Sequence, residues 1–334
     1  SAWLGDMDDP YKRIMDYEAL VNRQHLRGTA SLNWKIIKGL TYHTDLTLSR
    51  SWQQNKTWSG PVYNNYLDEE TGEAQYAGAA SLYKGDSWSV RWTNTLNYEL
   101  EINKNNRLNF LIGHEVTNSG GNSMRIDTDY FPSNFTKENA FAMINQYDKT
   151  KSTITTPFQS GYSISERILS FFGRVNYTLL DRYLFTFTMR ADGSSKFAPS
   201  KRWGYFPAGA FAWRLSEEPF MKATQNWLSN LKIRLSYGTV GNDGIDSSLW
   251  SQTWSSETSA NRQYTLGGKV QPSYKLASTT MANPDLKWET TITRNIGIDW
   301  GILNNRINGS IDIYKNTTKD LLMLTTLPTI TGFE

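Results

Sequence analysis

Between residues 167 and 238 the chain alternates apolar and polar side chains for longer than a soluble hairpin needs. Tyr183, Phe185, Phe187 and Met189 fall on one face of an extended segment, and Thr186, Thr188 and Arg190 fall on the other. A strand that is greasy on one side and wet on the other suits a barrel wall standing between lipid and water. The same alternation, punctuated by turn residues, predicts about ten strands paired as hairpins. They cover 28–37 with 40–51, 87–100 with 107–116, 167–178 with 183–191, 204–215 with 231–237, and 287–300 with 306–314. In the second hairpin Trp88, Val90, Trp92, Leu96, Tyr98 and Leu100 alternate with polar residues, and only Asn94 interrupts the apolar face. Arg294 interrupts the fifth hairpin in the same way, which places it near a rim of the apolar band or marks a slip in register.

The connections sort by length. Short ones at 38–39, 101–106, 179–182 and 301–305, with a moderate one at 216–230, alternate with long ones at 52–86, 117–164, 192–203, 239–285 and beyond 315. Outer-membrane barrels keep short turns on the periplasmic side and long loops outside, whereas a soluble sandwich has no reason to sort them. In the moderate connection, Ser216 followed by Glu217, Glu218, Pro219, Phe220 and Met221 reads as a helix start capped by Ser216, with Phe220 and Met221 tucked against the barrel end.

Composition agrees with this picture. The 334 residues are 38% hydrophobic and 13% aromatic, with 13 Trp and 18 Tyr. A mean hydropathy of -0.56 is too polar for a helical membrane protein. It suits a barrel, in which only alternate residues meet lipid. No run of 18 apolar residues is present, so a transmembrane helix is excluded. The net charge of +3 is small and its cations are scattered, which gives no footprint for nucleic acid. Cysteine is absent, removing disulfides and Cys-based metal or redox sites.

No catalytic constellation emerges. His25, His43 and His114 are far apart and form no ligand cluster. Gly238, Gly241 and Gly244 have neither the spacing nor the GK[ST] ending of a phosphate loop. Glu217 and Glu218 are sequence neighbours, and glycoside hydrolysis needs two carboxyls facing one sugar from opposite sides. Asp6, Asp8 and Asp9 lack the spacing of a calcium loop and read as a solvated acidic stretch. The chain is therefore expected to be no enzyme and to need no cofactor. Its long polar segments carry rings at Trp52, Trp58, Tyr63, Tyr66, Trp250, Trp254 and Tyr264. Such rings stack on sugar or peptide faces, or else pack the loops together. Trp58, Tyr63, Trp250, Trp254 and Tyr264 are the candidate substrate contacts.

Several blocks in order are more specific than a generic barrel. They are Arg190-Ala191-Asp192-Gly193-Ser194-Ser195-Lys196-Phe197, Arg202-Trp203-Gly204-Tyr205-Phe206-Pro207, Trp213 to Phe220, Leu231 to Gly238 with Gly241-Asn242, Asn283 to Thr290, and Thr318 to Leu322. This succession resembles the SusC/RagA-like TonB-dependent outer-membrane transporters, over about half of the chain; residues 1 to about 161 fit by strand pattern only. The resemblance implies an all-β fold, an antiparallel transmembrane barrel of about 22 strands. Of these, residues 1–334 would supply about ten, with the plug, the TonB box and the last strands lying elsewhere. It also implies import of glycans, oligosaccharides or peptides, a SusD-like surface lipoprotein as partner, and energy from the TonB-ExbB-ExbD complex. The alternative from the residues alone is a soluble carbohydrate-binding or adhesin β-domain.

Overall fold

The computed structural model describes residues 10–63, 65–67, 74–132, 134–152, 154–256, 264–271, 273–276, 280–325 and 328. Asp6, Asp8 and Asp9, and the side chain of Tyr66, lie outside that description. Ten long strands form one sheet in which each strand neighbours the next in sequence. They are β1 (Tyr17–Ile37), β2 (Leu40–Ser59), β3 (Gly78–Asn103), β4 (Asn106–Phe131) and β5 (Phe158–Leu179), then β6 (Tyr183–Ser194), β7 (Trp203–Arg214), β8 (Leu228–Asn242), β9 (Glu289–Ile302) and β10 (Ile307–Lys319). Among the described residues no helix is long and apolar enough to cross a membrane.

The strands run well past the ends that alternation marks. β3 and β4 have 26 residues each. About 9–11 tilted residues cross a bilayer, so most of each strand continues the hydrogen-bonded ladder beyond the lipid-facing band. Apolar alternation is lost there, and much of what reads as loop at 52–59, 78–86 and 117–131 is strand. Gly120 and Gly121 look like turn residues but serve close approach: a Cβ on Gly120 would meet the Trp88 ring at 3.3 Å, and one on Gly121 the Asp86 carbonyl oxygen at 2.5 Å. At the first short turn, by contrast, Gly39 has φ +82°, the left-handed conformation that favours glycine.

The chain divides into two compact units, residues 1–29, 47–90 and 119–165, and residues 30–46, 91–118 and 166–334. In the first unit, Trp58, Ala80, Phe131 and Ala140 make a buried cluster. Ala140 comes from a short helix, Lys137–Ala142, whose Thr136 side chain caps the Asn139 amide. In the second unit, the registers of β6 to β10 place Phe185, Phe211, Leu235, Ile296 and Ile313 side by side in one row across five strands. Phe185 is 44% exposed, Ile296 56% and Ile313 72%. An apolar row that large and that bare needs an apolar solvent, and lipid supplies one.

Two interruptions of the apolar face resolve differently. Asn94 is buried and satisfied: it accepts a hydrogen bond from the Tyr42 hydroxyl at 2.5 Å and lies 3.2 Å from His114 Nε2. Arg294 stands opposite Tyr237 on one side and Lys315 on the other, in a register unbroken from Asn230 to Asn242. No slip occurs there, so Arg294 marks the edge of the bare apolar band: Ile296 on its short-turn side is exposed, whereas Ile292 beyond it on the same face is buried.

The connection at 216–230 departs from the expected helix. It is two 3-10 turns, Leu215–Glu217 and Pro219–Thr224, and the side chain of Ser216 caps neither of them. Phe220 is 66% exposed rather than tucked in. The ordering residue is Glu218, whose carboxylate accepts from the Tyr183 hydroxyl at 2.6 Å, from Trp213 Nε1 at 2.9 Å and from Arg182 Nη1 at 3.4 Å. These donors hold its carboxyl below the ordinary glutamate value, the Tyr183 bond contributing most.

Candidate functional site

The face opposite the apolar row is wet and cross-linked. Asn109 donates to Asn97 at 3.0 Å, and Thr186 donates to Asn176 at 2.9 Å. Arg190 spans three strands: its guanidinium donates to Asp192 at 2.8 Å and Ser170 at 2.9 Å, lies 3.8 Å from Glu115, and covers the Phe172 ring. Further along, Arg234 makes a two-pronged pair with Asp299 at 3.0 and 2.8 Å and reaches Asp312 at 3.1 Å, while Lys232 reaches Asp299 at 2.9 Å. Gly297 leaves the room for this network, because a Cβ there would meet Asp312 Oδ1 at 2.5 Å and Arg234 Nη2 at 2.8 Å. A surface of amides, hydroxyls and paired charges with both signs present suits a passage for polar solutes.

At the long-connection ends of β6 to β9 several of the ordered motif blocks converge on one knot, here termed the clasp, whereas the Trp213–Phe220 block lies at the opposite ends around Glu218. Phe197, Phe206 and Trp288 form its buried centre, with Ile245, Leu286 and Leu322 packed around them. The Phe197 and Phe206 rings each lie 5.5 Å from the Trp288 ring. Gly204 and Gly241 make the space for Phe206, since a Cβ on Gly241 would meet that ring at 2.1 Å. Trp288 Nε1 donates to the Arg202 carbonyl at 2.7 Å. Ser194 donates to Asp243 at 2.8 Å, and Asn242 to Glu289 at 3.1 Å; the other Glu289 oxygen accepts the Leu322 amide at 2.9 Å. Ser195 Oγ accepts the Arg167 amide at 2.9 Å. The side chains that make the sequence blocks recognisable are thus spent on one another. Only the proximity of residues far apart in sequence, such as Phe197 and Phe206 with Trp288, could have revealed this, and local pattern does not carry it.

The five candidate contact rings scatter. Trp58 is 5% exposed and packs on Phe131 at 6.0 Å. Tyr63 stacks on Tyr17 at 4.8 Å beneath the Arg13 guanidinium. Trp250 is half-buried, while Trp254 and Tyr264 are exposed at 62% and 58%. Trp254 opens a short hairpin, Trp254–Ser256 with Tyr274–Leu276. Tyr264 adjoins a second hairpin that turns through Gly267 and Gly268, both at positive φ. Among the described residues no three His, Asp or Glu side chains gather as metal ligands.

A model of the TonB dependent receptor-like β-barrel family matches residues 5–334. The chain belongs to that family. Its sheet is part of the wall of an outer-membrane β-barrel. TonB-dependent receptor SusC of Bacteroides thetaiotaomicron is 43% identical over 176 residues, which is 53% of this chain and 17% of SusC. TonB-dependent receptor P26 of Formosa agariphila is 33% identical over 307 residues, 88% of this chain and 29% of the receptor. The structure of the RagAB peptide transporter superposes with a TM-score of 0.79 at 24% identity, covering 97% of this chain and 33% of that one. The resemblance carried by the ordered motif blocks is borne out, as is the all-β wall. The chain spans less than a third of the length of these curated relatives.

Proposed function

We propose that this segment is part of the wall of a TonB-dependent importer that carries glycans, oligosaccharides or peptides across the outer membrane, and that it has no catalytic role. The supporting observation is the division of the sheet in the second unit into a bare apolar face and a wet, charge-paired face. Kinship with SusC and the fold shared with the RagAB transporter support the reading that the solutes are large polar nutrients. A SusD-like surface lipoprotein and the TonB-ExbB-ExbD complex are the partners this reading requires.

Of the five candidate rings, Trp250, Trp254 and Tyr264 offer surface to a solute. Trp58 and Tyr63 are assigned to packing, because their faces already meet other side chains. The test is uptake of labelled oligosaccharide and peptide libraries by cells that carry or lack the whole gene. Loss of growth on one polymer class on deletion, restored only when TonB is active, is the expected result. Uptake unchanged by deletion on every polymer would refute the reading.

A further inference from the structure

On the lipid side of the second unit, Tyr237, Arg294 and Lys315 are direct cross-strand neighbours on β8, β9 and β10. The same face of these strands is apolar and bare on the side of the short turns, with Leu235, Ile296 and Ile313 in the adjacent row; in the row beyond, Thr239 and Thr317 flank Ile292, which is buried rather than bare. The cations therefore stand where hydrocarbon gives way to headgroups. Like charges directly opposite on a sheet repel. Arg294 lies over the Tyr237 ring at 5.8 Å, and among the described residues no carboxylate pairs with either cation. Beside them lies a cavity of about 660 Å³. It is an open groove lined by Gly209 and mostly apolar side chains, including Phe187, Phe211, Leu235 and Ile296, and Arg294 is also on its lining. Gly209 is the residue that opens the groove: a Cβ there would find only the Thr186 carbonyl oxygen, at 3.9 Å.

We propose that this site binds one acylated phosphate lipid of the outer membrane, its phosphate between Arg294 and Lys315 and an acyl chain along the groove over Gly209. The phosphate removes the repulsion between the cations and accepts their donors. Tyr237 belongs to the interfacial position, with its ring in the apolar layer and its hydroxyl at the headgroup level. Guanidinium, ammonium, ring and groove together distinguish this place from an isolated surface lysine. The site is independent of what the barrel imports.

The test uses the whole protein, delipidated in detergent and titrated by native mass spectrometry with dioleoyl phosphatidate, dioleoyl phosphatidylcholine, dihexanoyl phosphatidate and inorganic phosphate. Wild type is expected to retain dioleoyl phosphatidate above the other three. At roughly a kcal/mol per cation near an anionic headgroup, Arg294→Gln with Lys315→Gln lowers that retention about thirtyfold. Gly209→Leu fills the groove and weakens dioleoyl but not dihexanoyl phosphatidate. Strand content and heat-modifiable gel mobility verify that both variants fold. Equal retention of phosphatidate by wild type and the double variant would overturn the proposal. So would retention of inorganic phosphate as tight as that of the long-chain lipid, which would assign the cations to a soluble anion. Unchanged dioleoyl binding in Gly209→Leu would remove the groove from it.

Discussion

Replacing Trp288 by Ala should open the clasp while leaving the wall intact. Trp288 is 8% exposed and contacts two rings that are themselves 0% and 6% exposed. Truncating a buried Trp or Phe to Ala costs about 3–5 kcal/mol. Amide exchange in locally opening segments scales with the opening free energy. The loss therefore predicts exchange faster by about two to three and a half orders of magnitude, at about 1.4 kcal/mol per decade. The amides to follow are Ser194, which donates to the Arg202 carbonyl, and Lys201, which donates to Ala198. The Arg182 amide, bonded to the Leu179 carbonyl at the far turn, serves as internal control. Trp288→Phe keeps most of the ring and removes the 2.7 Å bond to Arg202, worth about 0.5–1.5 kcal/mol, so its acceleration stays near or below about tenfold. Hydrogen exchange with mass spectrometry on the detergent-solubilised whole protein reads both variants. If Ser194 and Lys201 exchange in Trp288→Ala within threefold of wild type, the ring is not what holds the clasp.

Other consequences follow from the same geometry. Because the folded carboxyl of Glu218 titrates below the ordinary value near 4.5, the order it gives the 216–230 connection is fully present above that value and is lost as pH falls through the lower folded one. Fluorescence of the whole protein is expected to show a transition below pH 4.5 that Glu218→Gln lacks, and an identical transition in the variant would sink the assignment. Gly113→Val should block assembly of the wall, since its Cβ would sit 2.6 Å from the Asn94 carbonyl oxygen and 2.7 Å from the Phe172 ring. Recovery of normal amounts of heat-modifiable protein from outer membranes would contradict that. Gly297→Val presses only on side-chain ends, so it should fold but separate Arg234 from Asp312, seen as weaker resistance to urea at low salt than at high salt. An unaltered salt dependence would mean that the ion pair contributes nothing.

The middle of each strand was legible in the sequence because lipid on one side and water on the other impose period two, as in Phe185, Phe187 and Met189. The strand ends were not legible. Where lipid no longer covers one face, a ladder such as 117–131 carries no regular alternation, and its Asn, Ser and Gly residues mimic a loop. Trp58 shows the same limit for the site: its polar neighbours suggest an exposed ring, but Phe131 arrives from 73 positions away to bury it. The motif blocks revealed the family, while their mutual packing waited on the fold.

The clasp also bears on the order in which this wall is built. Each strand of the sheet pairs with its neighbour in sequence, so hairpins can add one after another, cheaply at the short turns and at a greater closure cost across the long connection between β8 and β9. Phe197 and Phe206 emerge on the third hairpin's outer connection and the strand after it, whereas Trp288 arrives only with β9. The rings cannot meet until β8 and β9 have joined in register. A one-residue slip would turn Phe206 to the opposite face and leave Trp288 without its partner. Closure of the clasp is therefore expected to reward only a wall whose middle strands have been laid in the correct order and phase.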